Sequence, residues 1–565
     1  MTARHCAAVA AAILLLTLLT FVQFPGHSYL GSDTQIYVPM MEHIWDPSVL
    51  ASDITANKPH LDYTIYDETA IALRWLTGAQ FKTVLIAEQI FFRALELFAV
   101  FLIASALPLP PAFALFVTAC FSLGATIVGP AVLTIEYEPV PRGFAIPLVL
   151  LAIALAARGH MVWSGIAASF AFLFHPPTAA SFWLVFIILA IARKQWRPLI
   201  PLGIAAFAMF LFVHWQAGPA EKPEFFSRIG PELEKLQRMR ASYSWVSMWS
   251  PLLLLQYPFL WLVSLVAFWR VQPKNARMFF LGMPLIGVLS IPVSYLLLEQ
   301  AKWSLVPQFQ PARAALFITA FAVILGAAAG VRAGLRGNWI ESAAWLFIVF
   351  AIPSEARIFD LLGLNRPWEQ RRVACCVLLA ALGAAAIWLG RRKAWRPLLI
   401  VPAILPFLLL PGFGQVRNYR QIDVSKLRLL CAYARLNTLK SAIFAFPDAG
   451  ETTDPGIFRA IALRPVYVDW KTGGQVNFYR SLAEEWWTRW QQTMTRPCTQ
   501  DDLARFASYG IDYVVLPRAR AFPDMAPAYQ DSDFVVYKVG PIAPSKRTEN
   551  SRALRSIRSR RLASS

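Results

Sequence analysis

Apolar residues run along this chain in long unbroken blocks rather than in alternation. Thirteen such blocks cover approximately 6–24, 84–107, 111–135, 143–157, 160–174, 178–193, 198–215, 250–270, 277–298, 312–330, 338–354, 373–390 and 396–412. Each approaches the roughly 20 residues that an α-helix needs to cross a bilayer core. The pattern therefore predicts a mainly α, polytopic helical membrane protein of about 13 spans. The first block has the alternative of a signal peptide, but "FVQFPGHS" has no small-residue cleavage pattern, so a retained anchor is expected.

After residue 412 the period changes. "SAIFAF" (441–446), "RPVYVDW" (464–470), "IDYVVLP" (511–517) and "DFVVYKV" (533–539) read as strands, and "TQDDLARFASYG" (499–510) as a capped helix stopping at Gly510. The expected organisation is a multi-span domain over 1–412 with a long external loop at 25–83. A small soluble α/β domain follows over 413–541, and 542–565 form a basic, disordered tail.

Charge gives the blocks a direction. With the N-terminus in the cytoplasm, one set of loops holds Arg158, then Arg193, Lys194 and Arg197, then Arg270, Lys274 and Arg277, then Arg332 and Arg336, then Arg391, Arg392, Lys393 and Arg396, with no acid. The opposite set collects the acids: "GSDTQIYVPMMEHIWDPSVLASD" (31–53), "EYEPVPR" (136–142), residues 219–240, "LEQAKW" (298–303) and "PSEARIFD" (353–360). Cationic loops stay cytoplasmic, so the separation orients the chain and puts the C-terminal domain outside. The reading is a bacterial inner (plasma) membrane protein with that domain on the periplasmic face.

Composition narrows the partners. Hydrophobic residues make up 57% and charged ones 15%, and the net charge of +19 is spread over short loops and the tail rather than gathered in a patch. Membrane lipids, and no nucleic acid, are the expected partners. None of the six cysteines forms a CxxC, and a disulfide between Cys431 and Cys498, both in the polar region, stays open.

Candidate chemistry gathers on the acid-rich face. Asp33 stands a few residues beyond the first block. Glu136, Tyr137 and Glu138, then Arg142, lie between the third and fourth. His175 interrupts an apolar stretch in "FHPPT", His214 closes the seventh block, and "LEQAKWSLVPQFQPAR" carries Glu299, Lys302, Gln310 and Arg313. A carboxylate there takes the proton of an acceptor hydroxyl, or paired carboxylates hold a divalent cation, while Arg and Lys grip a lipid-linked phosphate. Glu42, Asp46 and Asp53 read as solvated loop acids. Glu88, Arg93 and Glu96 inside the second block read as a structural ion pair or a polar path, since charge at membrane depth is costly. Tyr467, Trp470, Tyr479, Trp486, Trp487 and Trp490 read as a small core or an interfacial belt, with stacking on sugar rings as the alternative.

In this layout the chain resembles the GT-C superfamily of glycosyltransferases, which move a sugar from a polyprenyl-phosphate donor to an acceptor on the outer face. The resemblance implies that Asp33 is the catalytic base or a metal ligand. Glu136 and Glu138 take the place of the second acidic motif and support it. His175, read from the residues alone, is either a member of the catalytic set or a helix-break histidine bonding backbone. The resemblance implies that Arg142 or Arg313 holds the donor phosphate. Read from the residues beside them, Lys302 and Gln310 are further candidates for that phosphate, and Trp470 and Lys471 are candidates to meet the glycan or lipid acceptor. Under the metal-ligand alternative, Asp33 and Glu138 hold a divalent cation, Mg or Mn; the first loop reads Asp33-Thr34-Gln35 rather than D-x-D, which leaves the cofactor open. The rivals are a transporter of lipid-linked saccharides using Glu88, Arg93 and Glu96 as its path, and a structural envelope protein.

Overall fold

The structure is a computed structural model that describes residues 3–23, 29–58, 64–216, 227–273, 276–413, 424–477 and 480–539. The side chain of His214, Lys274, Tyr479 and the tail at 542–565 lie outside the described residues.

The chain opens with helices α1 (Ala3–Gln23), α2 (Thr34–Trp45), α3 (Tyr66–Thr77), α4 (Phe81–Ala106) and α5 (Pro111–Ser122). A short hairpin of β1 (Thr126–Ile127) and β2 (Val132–Leu133) precedes α6 (Pro141–Ala157), α7 (Met161–Phe174), α8 (Pro176–Ala192), α9 (Ile200–Gln216) and α10 (Pro231–Arg240). Then come α11 (Pro251–Val271), α12 (Arg277–Ser294), the single turn α13 (Val306–Phe309), α14 (Ala315–Leu335), α15 (Trp339–Ser354), α16 (Pro367–Leu389) and α17 (Ile400–Leu409). Proline at the first turn of α5, α6, α8, α11 and α16 marks where these helices start, its missing N–H being one that needs no partner there.

Five helices among the described residues are long and apolar enough to cross a membrane, and seven shorter apolar helices accompany them. With α4, which carries charges, they match the thirteen apolar blocks one for one. The molecule is a polytopic helical membrane protein. α11 keeps Leu252, Leu255, Leu262 and Val266 exposed, and α12 keeps Leu285, Leu289 and Val293 exposed, so apolar stripes face outward where lipid replaces water. α14 is buried on all sides except at Arg332 and Leu335. Its small residues permit this: Gly330 lies against Trp345 and Leu346, and Gly334 against Ile387 and Ser342.

The block expected over 111–135 is corrected. The helix stops at Ser122, and the remaining apolar residues form the β1–β2 hairpin, pairing Thr126 with Leu133 and Ile127 with Val132. The basic face also contains one acid, because Glu341 in the first turn of α15 pairs with Arg270 at 3.2 Å.

The chain divides into two compact units, the first being 1–34, 60–422 and 474–483 and the second 35–59, 423–473 and 484–565. The second unit holds α18 (Arg428–Asn437), α19 (Asp454–Ala462), most of α20 (Arg480–Thr493), and α21 (Asp502–Ser508). Its sheet comprises β3 (Phe444–Ala445), β4 (Tyr513–Pro517), β5 (Tyr529–Gln530) and β6 (Phe534–Lys538) in the order β3-β4-β6-β5. β3 and β4 run parallel, and the other pairs are antiparallel. The strand expected over 464–470 reduces to one bridge, Phe444 to Val466, made by the Pro465 carbonyl and the Tyr467 N–H, while on the opposite side Asp53 takes the Val466 N–H at 3.2 Å.

Asp53, read as solvated, is fully buried in this unit. Its Oδ1 accepts from Thr55 N, Thr55 Oγ1 and Ala56 N at 3.0, 3.1 and 3.0 Å. Arg459, also fully buried, lies 3.8 Å from Asp53 and donates to Asp469 at 2.6 Å and to the Gln35 carbonyl at 3.0 Å. Its guanidinium charge, with Thr472 donating, holds the Asp469 carboxyl below the usual range against the opposing pull of burial, the largest single influence. Asp46 does stay at the surface, on Lys440 at 3.0 Å. Cys431 and Cys498 are free thiols, each pushed up to about 12 mainly by burial. Trp470, Trp486 and Trp490 pack together as core, with Trp470 and Trp490 ring centroids 5.1 Å apart.

Candidate active site

Buried carbonyls need donors, and this requirement organises the site. The loop from β2 to α6 carries Glu136 to Pro139 through the interior, where water does not serve its backbone. Arg93 of α4 donates to the Glu136 carbonyl at 2.7 Å, Gln89 of α4 donates to that of Tyr137, and the Tyr66 hydroxyl of α3 donates to that of Pro139 at 2.6 Å. Arg93 is steadied further by the Thr20 hydroxyl at 3.3 Å and the Phe21 ring at 4.1 Å. The buried charge on α4 is therefore scaffold. Glu88 does not join it, and instead bonds the Thr69 hydroxyl at the edge of an apolar groove with Phe91, Phe92 and Phe174.

With its backbone fixed, the loop aims two carboxylates. Glu138 accepts from the Ser32 N–H, from the Asp33 N–H at 2.9 Å and from the Thr34 hydroxyl at 2.6 Å. Both of its oxygens are thus used to shape the turn bearing Asp33. Glu136 receives the Arg142 Nε at 2.7 Å, and Arg142 Nη1 reaches Asp33 Oδ2 at 3.0 Å. The Arg142 and Glu136 side chains are 9% and 1% exposed, whereas that of Asp33 is 25% exposed. Among these acids Asp33 is the one that an incoming molecule can reach. Gly143, one residue past Arg142, leaves room for the turn, since a Cβ there would stand 3.1 Å from Glu136 Cβ.

Arg313, in the tight turn Pro311–Ala314, lies within electrostatic range of Arg142, Asp33 and Glu136. It rests 5.6 Å from the Tyr243 ring centroid, and Asn477 donates to the Tyr243 hydroxyl at 3.2 Å. Arg313 Nε, Gln310 Oε1 and Glu136 Oε2 are buried without a hydrogen-bond partner among the described residues. Each such atom costs about 1–3 kcal/mol, a demand that polar atoms of a ligand relieve. Arg313 and Gln310 line one small cleft with Tyr243 and Ser294. His175 caps α8, taking the Thr178 N–H on Nδ1 at 3.2 Å, and both Arg313 and Arg142 act on it electrostatically.

The structure thus brings together Asp33, Glu136, Glu138 and Arg142, with Arg313, Gln310 and His175 around them. Lys302 belongs to a different network, on Glu234 at 2.7 Å and over the Trp245 ring at 5.1 Å, beside Arg238. Glu299, at the end of α12's terminal π-turn, accepts the Ser247 N–H at 2.8 Å. Trp470 and Lys471 lie in the second unit. Residues not singled out from sequence are Ser32, Thr34, Tyr66, Gln89 and Tyr243. Their signal was only a hydroxyl or amide beside an apolar run.

No group of three or more His, Cys, Asp or Glu suited to a metal ion occurs among the described residues. Glu138 is saturated by donors, and Asp33 faces a guanidinium that would repel a cation. The residues present do not fit the expected Mg or Mn.

If α4 is scaffold, Arg93→Met should leave the Glu136 carbonyl unpaired. We expect about 1–3 kcal/mol of destabilisation and faster amide exchange over residues 133–140. Wild-type exchange in the variant would show that the loop holds itself.

No family model matches the chain, and no curated protein matches it. Two crystal structures of ArnT from Cupriavidus metallidurans are similar to it, one in the apo state and one bound to undecaprenyl phosphate. Each is 15% identical with a TM-score of 0.49, covering 96% of this chain and 100% of that chain.

Proposed function

We propose that the protein is a membrane glycosyltransferase of the GT-C layout, moving a sugar from a polyprenyl-phosphate donor to the hydroxyl of an envelope glycan, lipid or protein. The observation that carries this reading is one reachable carboxylate, Asp33, held by Arg142 and Glu138 within range of a buried arginine whose Nε has no hydrogen-bond partner among the described residues. In the reaction the acceptor oxygen attacks the anomeric carbon. The bond from that carbon to the phosphate oxygen breaks, and the polyprenyl phosphate leaves with the electron pair. Asp33 takes the acceptor proton. Arg313 and the Gln310 amide meet the phosphate, where a positioned cation stabilises the charge that develops on it. The polar-path alternative loses support because Arg93 is committed to the Glu136 carbonyl. The basic loops would face the cytoplasm of a bacterial inner membrane, and the second unit the periplasm.

The test uses the full chain in lipid nanodiscs with polyprenyl-phosphate sugars and a glycan acceptor. Asp33→Asn should lower turnover by about 10²–10⁴-fold, the usual contribution of a general base. Arg313→Lys should raise KM for the donor more than it lowers kcat. Undiminished turnover in Asp33→Asn would remove Asp33 as the base.

A further inference from the structure

The second unit holds a cavity of about 450 Å³ between α20 and α21, a size within the roughly 300–1,000 Å³ typical of small-molecule sites. Its walls are of two kinds. Trp487 and Tyr509 are aromatic, whereas Gln491, Arg496 and Arg505 are polar and end in planar groups. Trp487 is only half-buried, unlike its neighbour Trp486, which is wholly buried and donates to the Asp469 carbonyl at 2.9 Å. The tryptophan cluster of α20 is therefore core on one side and open at Trp487 on the other.

The polar wall is arranged in advance. Asp502 is buried, and its Oδ2 accepts from Thr499 N and Oγ1 at 3.0 and 2.9 Å. Its Oδ1 takes an N–H from Arg496 at 2.7 Å and is ion-paired with Arg505 at 2.6 Å. Two guanidiniums on one carboxylate leave a net positive charge, and a guanidinium has five donors, so each keeps others to offer. Tyr509 is set parallel to Tyr467, with 6.3 Å between centroids and 12° between planes, and the Tyr467 hydroxyl donates to Gln492 of α20.

We propose that this cavity binds an acidic saccharide. A pyranose has a C–H face that packs on an aromatic ring and equatorial hydroxyls that meet amides. A uronate carboxylate matches the planar fork of arginine. The cavity binds such a chain whatever the first unit does. Naming it as the acceptor class rests on the glycosyl-transfer reading.

Calorimetric titration of the full chain in nanodiscs tests this with two probes, a glucuronate-bearing hyaluronan tetrasaccharide and neutral chitotetraose. Hyaluronan is expected to bind at least about tenfold more tightly, a difference of about 1.4 kcal/mol. Trp487→Ala should weaken it at least about tenfold, and Gln491→Ala, at an exposed position that folding does not need, about threefold. The double variant Arg496→Gln, Arg505→Gln should erase the preference for the acidic probe. Equal binding of both probes, binding of neither, or affinities unchanged in Gln491→Ala and the arginine variant would overturn the proposal. Lost binding with sugar transfer intact counts against this cavity alone. Binding intact with no transfer counts against the transferase reading alone.

Discussion

Arg142→Met should lower the unfolding midpoint sharply and reduce sugar transfer by at least about 10²-fold. The stability loss comes from Glu136, whose carboxylate is almost wholly buried and takes its one strong hydrogen bond from Arg142 at 2.7 Å. Its other oxygen already has no hydrogen-bond partner among the described residues. Removing one member of a buried ion pair costs roughly 3–5 kcal/mol, because the remaining charge is left uncompensated. The transfer loss rests on the proposed role of Asp33 as base: Arg142 positions it at 3.0 Å, and a displacement of about 1 Å at a reacting group costs about 10²-fold. Arg142→Lys separates the two effects. A lysine restores a charge beside Glu136 but offers no rigid fork to span both acids. It should regain more of the stability than of the activity. A wild-type midpoint in Arg142→Met would show that the pair does not hold the turn.

The second large effect belongs to the other unit. Arg459→Met should destabilise it by roughly 3–5 kcal/mol, since Asp469 at 2.6 Å and Asp53 at 3.8 Å both lose their cation while wholly buried. A pH dependence follows from Asp469, whose folded-state pKa is held down chiefly by Arg459 against burial. A carboxyl with a depressed folded pKa contributes stability that is complete above its unfolded value, about 3.9, and is lost as pH falls through the folded value. Urea unfolding of the full chain, followed by exchange in residues 453–473, should show this unit weakening below about pH 4. Asp469→Asn should flatten that slope at a cost in stability at pH 7. An identical acid slope in wild type and Asp469→Asn would assign the dependence elsewhere.

The helical spans were legible because lipid and protein interior both demand apolar side chains, and thirteen blocks correspond to thirteen helices. That same equivalence caused the overrun after Ser122, where residues buried by protein look like residues bathed in lipid. At the site, types were easier to read than partners. Asp33, Glu136 and Arg142 announced themselves as ionisable groups in or beside the connections between apolar blocks. Nothing in "LEQAKWSLVPQFQPAR" says that Lys302 turns to Glu234 while Arg313 turns to Tyr243. The charges of α4 were visibly anomalous, but the backbone carbonyls that Arg93 serves carry no signature in a sequence. Asp53 misled for a topological reason. External loops are normally rich in solvated acids, so one more attracts no notice.

Asp53 also bears on how the molecule is made. Its bond to the Val466 N–H joins residues 413 positions apart, with the spanning helices α4 to α17 between them. At ordinary ribosomal rates the partner emerges roughly 20–80 s after Asp53 does. During that interval Asp53, already outside the ribosome, waits for the Val466 N–H and for Arg459, which do not yet exist. A chain cut before Arg459 would therefore leave Asp53 without Arg459 and the Val466 N–H, so a truncation there should be felt about 400 residues upstream, in the loop that Asp53 organises.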